Sequence, residues 1–379
     1  MGKDIFTDYS FKTAATAKGI EFESRSDGSR RAKSSVTREA EQHSRNTGKL
    51  DPSVDPAVMV IRRSLPRFEE TPEGQYRMTI GCPMDIESTC DTTGSMGSNV
   101  QTMIEVLPET YGMISKVLPG YDPQLALGIF GDKVDNFVMN RPQFEMTAEK
   151  IVNYVTKLVP EKAGGDGPED PQYAIFGAAY LTSTYTNRLG LKGYHFCISD
   201  ASFHDDLDPN ILERIYGKNV WQELADNGFG EITRRNLPDF DDMFKALHAR
   251  AHAFFIGVDE IPSKWTLYYD NAHRVMVDST RYLPQIEAAI IGLTEGTIEP
   301  MDVRKWLKDN QVGQDTIDLA MRGLKNVVYA AQRTLEKASG HIIPKQGDVF
   351  ATKQDLQPIG HTDTATTGET AGESTNTWL

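Results

Sequence analysis

The feature that most constrains the fold is an alternation of short apolar runs with stretches of helical periodicity. Runs of strand length include LALGIFGD, KGYHFCISD and HAFFIGVD, and the helix-like stretches TAEKIVNYVTKLV and FDDMFKALHAR lie between them. Several runs are apolar throughout, which is typical of strands that are buried on both faces of a parallel sheet. The pattern therefore predicts an α/β protein with a mostly parallel sheet and helices on both faces.

Four segments follow from the distribution of polar and periodic stretches. Residues 1–56 are polar and lack a sustained period, which predicts a flexible or partner-ordered arm. Residues 57–297 carry the strand and helix alternation. Residues 298–345 show helical patterns alone, so we expect a small helical extension packed on the α/β domain. Residues 346–379 are rich in Thr and Gly and predict a disordered tail.

One strand and one helix of the predicted domain have unusual compositions. The stretch YRMTIGCPMDIESTC leads directly into Asp91, but DIESTC is more polar than a buried strand usually is. The next stretch, SNVQTMIEVLPETYGMISKVL, has helical spacing with an interruption predicted at Pro108.

Charge and composition exclude several classes of protein. The net charge of −14 argues against nucleic-acid binding, which needs clustered Lys and Arg. The sequence has no run of 18 apolar residues, so it predicts no membrane span. The first residues lack the apolar core of a secretory signal. We therefore expect a cytoplasmic protein. Cys82, Cys90 and Cys197 have no metal-binding spacing, and their place in predicted strands indicates buried free thiols.

Three polar loops follow predicted strands or precede a helix at what should be one edge of the sheet. They are Asp91-Thr92-Thr93-Gly94-Ser95, Gly164-Gly165-Asp166-Gly167-Pro168-Glu169-Asp170 and Ser199-Asp200-Ala201. Ligands of open α/β sheets bind outside the carboxyl ends of the strands. Carboxylates and hydroxyls without a His/Cys pattern suit hard cations, so we expect a divalent ion, Mg²⁺ before Mn²⁺ or Ca²⁺.

The first loop has an oxygen-bearing side chain at every second position. In a turn, Asp91, Thr93 and Ser95 can point to one side, where Asp91 supplies charge and the two hydroxyls supply neutral oxygens. With few carboxylates bound directly to it, the positive charge of the ion would be only partly neutralised. Such an ion would be receptive to an acidic side chain from a partner.

The segments DTTGSMG, GGDGPED and ISDASFHDD resemble a von Willebrand factor A domain over roughly residues 76 to 297. They are most similar to the α-kinase-associated and bacterial branch of that family. The resemblance implies a doubly wound sheet with a metal-ion-dependent adhesion site on its upper edge. Neither the N-terminal arm nor the C-terminal extension is covered by it.

The resemblance also implies a ligand set. Asp91, Thr93 and Ser95 match the first metal loop, and Asp200 matches the third-loop acid, which often acts through water. Many members use a Thr in the second loop, but AGGDGPED contains none. The adhesion-receptor branch of the family places a ligand role on Glu169 and a neighbouring role on Asp166. Either residue could therefore be the second-loop ligand, and we keep both as candidates.

The predicted function is a non-catalytic, metal-dependent protein-binding module, acting as an adaptor or subunit of a larger assembly such as a ring ATPase complex. Two alternatives remain. DTTGS and GDGPED also resemble loops of haloacid-dehalogenase-like phosphatases, in which Asp91 would be a Mg²⁺-dependent nucleophile, although Thr92 replaces the expected Lys. The other alternative is a structural subunit with a degenerate metal site.

Overall fold

The computed structural model describes residues 21–24, 30–33, 35–70, 76–78, 82–161, 167–332 and 357–358. The strands in these ranges are β1 Glu21–Ser24, β2 Arg30–Lys33, β3 Arg62–Ser64, β4 Arg67–Glu70, β5 Tyr76–Met78, β6 Cys82–Asp91, β7 Tyr121–Phe130, β8 Met139–Asn140, β9 Thr182–Thr184, β10 Gly193–Ser199, β11 Ala251–Val258, β12 Arg274–Val277 and β13 Gln357–Pro358. The α-helices are α1 Ser35–Thr47, α2 Ser98–Val117, α3 Ala148–Val155, α4 Gln172–Tyr180, α5 Tyr185–Arg188, α6 Pro209–Tyr216, α7 Val220–Asp226, α8 Phe240–Arg250, α9 Leu283–Glu295, α10 Val303–Asp309 and α11 Gln314–Leu324. Short 3₁₀ helices cover Gly94–Met96, Ser263–Leu267 and Thr280–Tyr282.

The central sheet has the strand order β12-β11-β10-β6-β7-β8. Neighbouring strands from β12 to β7 are parallel, and the short β8 is antiparallel to β7. The predicted mixed α/β fold with a mostly parallel sheet is therefore confirmed. The short β8 lies in the segment VDNFVMN and forms a hairpin with β7.

Helices cover both faces of this sheet and bury two apolar layers. Helices α2 and α9 form one layer with Ile198 and Phe254, and α4, α6 and α8 form the other with Cys197 and Phe255. Adjacent residues of one strand thus enter different layers, because side chains alternate along a strand. Burial on both faces explains why β7, β10 and β11 are apolar runs in the sequence.

Strand β6 is buried in spite of its polar sequence, because its polar face is ion-paired. All ten residues of Cys82–Asp91 are buried. The Arg141 guanidinium donates to the Glu87 carboxylate at 2.7 and 3.2 Å, and an Arg250 nitrogen lies 3.4 Å from the Asp85 carboxylate. Met84, Ile86 and Cys90 point to the opposite, aliphatic layer. The strand can therefore occupy the centre of the sheet.

Part of the segment predicted to be an arm packs on the body of the protein. Residues 35–47 form helix α1, and Val54 is completely buried in the aliphatic layer. The carbonyl of Val54 accepts a hydrogen bond from the Arg141 amide at 2.8 Å, and the Lys157 ammonium lies 3.0 Å from Asp51. The packed body thus begins before residue 57, and the remaining residues of the predicted arm lie largely outside the described ranges.

The helical extension shares the core of the α/β domain. Val303, Leu307, Ile317 and Leu324 belong to the same apolar layer as the sheet and α9. Helix α11 packs closely on the edge strand β12, since a methyl group at Gly323 would lie 2.9 Å from the Val275 Cα. The predicted disordered tail lies outside the described residues, except for β13, which pairs with β4.

Two predictions on single residues have different outcomes. Helix α2 continues through Pro108 from Ser98 to Val117, so the predicted interruption is wrong. Packing of the apolar face of a 20-residue helix outweighs the one backbone hydrogen bond that proline removes. The three cysteines are buried free thiols, as predicted. None of the helices in the described ranges is long and apolar enough to cross a membrane.

Candidate metal site

The candidate site lies at the carboxyl ends of two neighbouring parallel strands. Asp91 is the last residue of β6 and Ser199 is the last residue of β10, and Cys90 pairs with Ile198 in the register of the two strands. Asp200 follows directly. The sheet therefore brings the first and third predicted loops side by side.

Both oxygens of the Asp91 carboxylate accept hydrogen bonds from the protein. Oδ1 accepts from the Thr93 amide at 2.8 Å and from the Thr93 hydroxyl at 2.6 Å, and Oδ2 accepts from the Ser199 hydroxyl at 2.6 Å. The Thr92 hydroxyl points the other way and donates to the Phe130 carbonyl. Asp91 itself is completely buried, so its hydrogen bonds hold the first loop from the buried side of the site.

A row of polar oxygens continues from Asp91 to the protein surface. The hydroxyl oxygens of Thr93 and Ser95 are 3.4 Å apart, and the Ser95 hydroxyl donates to Asp200 Oδ1 at 2.8 Å. Thr93 is buried, Asp200 is half-buried and Ser95 is exposed. The row of oxygens thus runs from a buried carboxylate to one that solvent or a partner can reach.

The second predicted loop contributes Glu169. Its backbone amide donates to the Ser202 carbonyl at 2.8 Å, and its carbonyl accepts from the His204 amide at 2.9 Å. These bonds attach the second loop to the loop that follows β10. The Glu169 side chain is 4% exposed, and its Oε2 has no hydrogen-bond partner among the described residues. Asp166, the other predicted acid of this loop, lies outside the described residues.

Burial makes the ionised forms of the site's carboxyl groups unfavourable, because no positive charge among the described residues compensates them. Burial raises the pKa of Asp91 to about 6, against the hydrogen bonds from Ser199 and Thr93. Burial, followed by the charge of Asp91, raises the pKa of Glu169 to about 8. Burial also raises the pKa of Asp200. A cation beside these carboxylates would favour their ionised forms, so the donor set fits a hard divalent ion.

Hydroxyl groups would have to complete the coordination of such an ion. Within residues 39–66, 82–161 and 167–332, no three His, Cys, Asp or Glu side chains converge closely enough to hold a metal by themselves. Thr93 and Ser95 are therefore essential to the candidate site, together with any bound water.

The structure adds acids that sequence reasoning missed. Asp132, in the loop after β7, is buried, and its charge contributes to the raised pKa of Glu169. The Lys133 amide in the same loop donates to Asp170 Oδ2 at 2.6 Å. The signal was present in GIFGDKVD, where an acid lies two residues after the end of an apolar strand at the same edge. Ser199, which holds Asp91, was noted as part of the third loop but not as a site residue.

Comparisons with known proteins give little further information. No family model and no curated protein matches the sequence. Among solved structures, the pilus adhesin SpaC from Lactobacillus rhamnosus GG is similar at 15% identity and a TM-score of 0.38, over 60% of this chain and 34% of that chain. Its open conformation gives 14% identity and a TM-score of 0.37, over 59% and 33%. Proximal thread matrix protein 1 from the mussel byssus gives 13% identity and a TM-score of 0.33, over 56% and 46%. The chain thus spans less than half the length of these structures, and the similarities are too weak to support an argument about function.

Proposed function

We propose that the chain is a non-catalytic protein-binding module of the von Willebrand factor A type, whose binding to an acidic group of a protein partner depends on a divalent cation. The observation that carries this proposal is the row of oxygen donors that leads from the buried Asp91, through Thr93 and Ser95, to the half-buried Asp200. An adaptor or subunit of a larger assembly, such as a ring ATPase complex, is the role that this chemistry suits best.

The strand order supports a doubly wound sheet. The chain forms β6, β7 and β8 towards one edge of the sheet and then β10, β11 and β12 towards the other. The direction of winding reverses between β6 and β10. Ligands of open α/β sheets bind at the carboxyl ends of such a strand pair, and Asp91 and Asp200 lie there.

The proposed ligands are Asp91, Thr93, Ser95, Glu169 and Asp200, acting directly or through water. When bound, Mg²⁺, or Mn²⁺ or Ca²⁺ in its place, would supply a positive charge with a coordination position open to an acidic oxygen. The protein keeps Asp91 oriented through Ser199 and buries the lower side of the site, so access is from the side of Ser95 and Asp200.

The surroundings of the site suit a protein partner. Val134 and Leu267 are 69% and 78% exposed. Val134 lies on the loop after β7, and Leu267 ends the 3₁₀ helix after β11; these two strands flank β6 and β10 in the sheet. A partner would therefore present an acidic residue together with apolar neighbours.

Calorimetric titration with Mg²⁺ and Mn²⁺ tests the cation site. The wild-type protein should bind one ion, Asp91→Ala should lose binding, and Asp309→Ala, which removes an exposed acid on α10, should bind as the wild type does. Equal affinity in Asp91→Ala and the wild type would contradict the site. Capture of protein partners with and without a chelator then tests the function, and a partner that is kept under both conditions and by Asp91→Ala would indicate a structural subunit.

The phosphatase alternative predicts a different result. Asp91 would form a phosphoenzyme, so Mg²⁺-dependent turnover of a phosphoester panel would appear and would disappear in Asp91→Asn. We expect no turnover above that of the variant. A clear difference between the two proteins would replace the binding-module proposal with a catalytic one.

A further inference from the structure

Arg45 connects the N-terminal helix α1 to the chain that leads into the second loop. Its Nη1 donates to Glu161 Oε2 at 2.8 Å, and its Nη2 donates to the Pro160 carbonyl at 2.7 Å. Its Nε donates to Glu41 Oε1 at 3.0 Å on the same helix. All three positions of the guanidinium are thus engaged, which fixes the side chain although it is 35% exposed.

Glu161 passes this connection to the loop after β7. Its side chain is 7% exposed, and its Oε1 accepts a hydrogen bond from the Phe137 amide at 3.0 Å. Its two carboxylate oxygens therefore face different elements, one towards Arg45 and one towards the loop. The opposite end of the loop also lies near Glu161, because a methyl group at Gly131 would lie 3.9 Å from the Glu161 Cβ.

The loop of residues 131–137 in turn contacts the candidate site. The Lys133 amide donates to Asp170 Oδ2 at 2.6 Å, and Asp170 directly follows Glu169 in the chain. A connected path of contacts therefore runs from α1 through Glu161 and the loop to the second-loop acid. Such supporting contacts orient metal ligands, and their loss usually weakens metal binding.

We propose that Arg45 is a positioning residue, which holds the 131–137 loop and through it Glu169 in the geometry that the cation needs. This inference rests on the proposed cation site. It adds that Arg45, in the N-terminal segment, controls the cation affinity of that site. Any event that displaces α1 would lower the affinity of the site without touching a ligand.

Three full-length variants test this role. Arg45→Ala removes the fork, Arg45→Lys keeps the charge without the planar fork, and Lys49→Ala removes a nearby exposed cation as a matched control. Amide hydrogen exchange of residues 131–140 is measured in metal-free protein. Mn²⁺ affinity is measured by calorimetry, and the melting temperature shows whether the whole fold is affected.

We expect faster exchange of the Phe137 amide and about a 10-fold weaker Mn²⁺ affinity in Arg45→Ala, the lower end of the range for supporting contacts. Arg45→Lys should recover part of both losses, and Lys49→Ala should match the wild type. Unchanged exchange in Arg45→Ala would overturn the role of Arg45 in the loop, and faster exchange with unchanged affinity would overturn its link to the site. If the wild type binds no cation, the proposed function fails, and the exchange result alone decides whether Arg45 holds the loop.

Discussion

Replacing Glu287 with Gln should stabilise the protein at neutral pH. Glu287 lies on α9 with no exposed surface, and neither of its carboxyl oxygens makes a hydrogen bond with the described residues. Burial is the larger effect and raises the pKa of Glu287 to about 8, although the hydroxyl of the β6 residue Ser88 favours the ionised form. The folded protein therefore keeps this carboxyl neutral at pH 7.

The sign and size of the effect follow from proton linkage. The carboxyl of the unfolded chain ionises above its ordinary pKa of 4.5, whereas that of the folded chain keeps its proton until about pH 8. Unfolding between these values releases a proton, so stability falls by about 1.4 kcal/mol for each unit of rising pH. At pH 7 this loss amounts to at most roughly 3 kcal/mol relative to pH 4.5.

Glutamine keeps the shape and polarity of the neutral acid but does not titrate. The free energy of unfolding of Glu287→Gln should therefore match the wild type near pH 4.5 and exceed it by about 1 to 3 kcal/mol at pH 7. Urea unfolding at pH 5, 6, 7 and 8 measures both proteins, with the exposed Glu39→Gln as control. Other buried carboxylates contribute equally to the pH dependence of both proteins. The difference between their free energies of unfolding therefore reports the titration of Glu287 alone. A difference that does not grow with pH, or a variant less stable at pH 7, would refute the reasoning.

Three further outcomes are expected. Arg141→Ala should lower the free energy of unfolding by about 3 to 5 kcal/mol in urea, because it leaves Glu87 buried and unpaired, and a stable variant would show that water replaces the guanidinium. Saturating Mg²⁺ should raise the melting temperature of the wild type, with about 2.7 kcal/mol gained at 100 times the dissociation constant, and should leave Asp91→Ala unchanged in the same thermal scan. Gly323→Ala should lower the free energy of unfolding, measured in urea, by about 1 to 3 kcal/mol, because α11 has no space for a methyl group against β12. The control Gly112→Ala, in the open part of α2, should leave the free energy of unfolding unchanged or raise it. Equal changes in the two variants would contradict the packing of the extension.

The alternation of strands and helices could be predicted from the sequence because burial on both faces leaves unbroken apolar runs. Strands β7, β10 and β11 follow LALGIFGD, KGYHFCISD and HAFFIGVD. Loops at the ends of strands were predictable for the same reason, since a polar residue directly after such a run must lie at the edge of the sheet. Asp200 was found in this way, whereas Asp91 was found from the oxygen-bearing side chains at every second position after a polar strand.

Features that depend on distant partners could not be predicted. The burial of Glu87 depends on Arg141, 54 residues further along the chain, and that of Asp85 depends on Arg250. Helix α1 has no apolar period, and its attachment depends on Arg45 and the residues just after the helix. A local pattern contains no information about such pairs, which form when the fold brings them together.

The two faces of β6 also restrict how the protein can misfold. Carboxylates alternate along this strand with aliphatic and small residues, and each set fits one side of the sheet. A shift of one residue against β7 or β10 would turn Asp85, Glu87 and Asp91 into the aliphatic layer, away from their arginine and hydroxyl partners. Apolar strands such as β11 would tolerate a slipped pairing far better. The charged strand at the centre therefore selects the alignment of its neighbours during folding, at a cost in stability that a purely aliphatic strand would avoid.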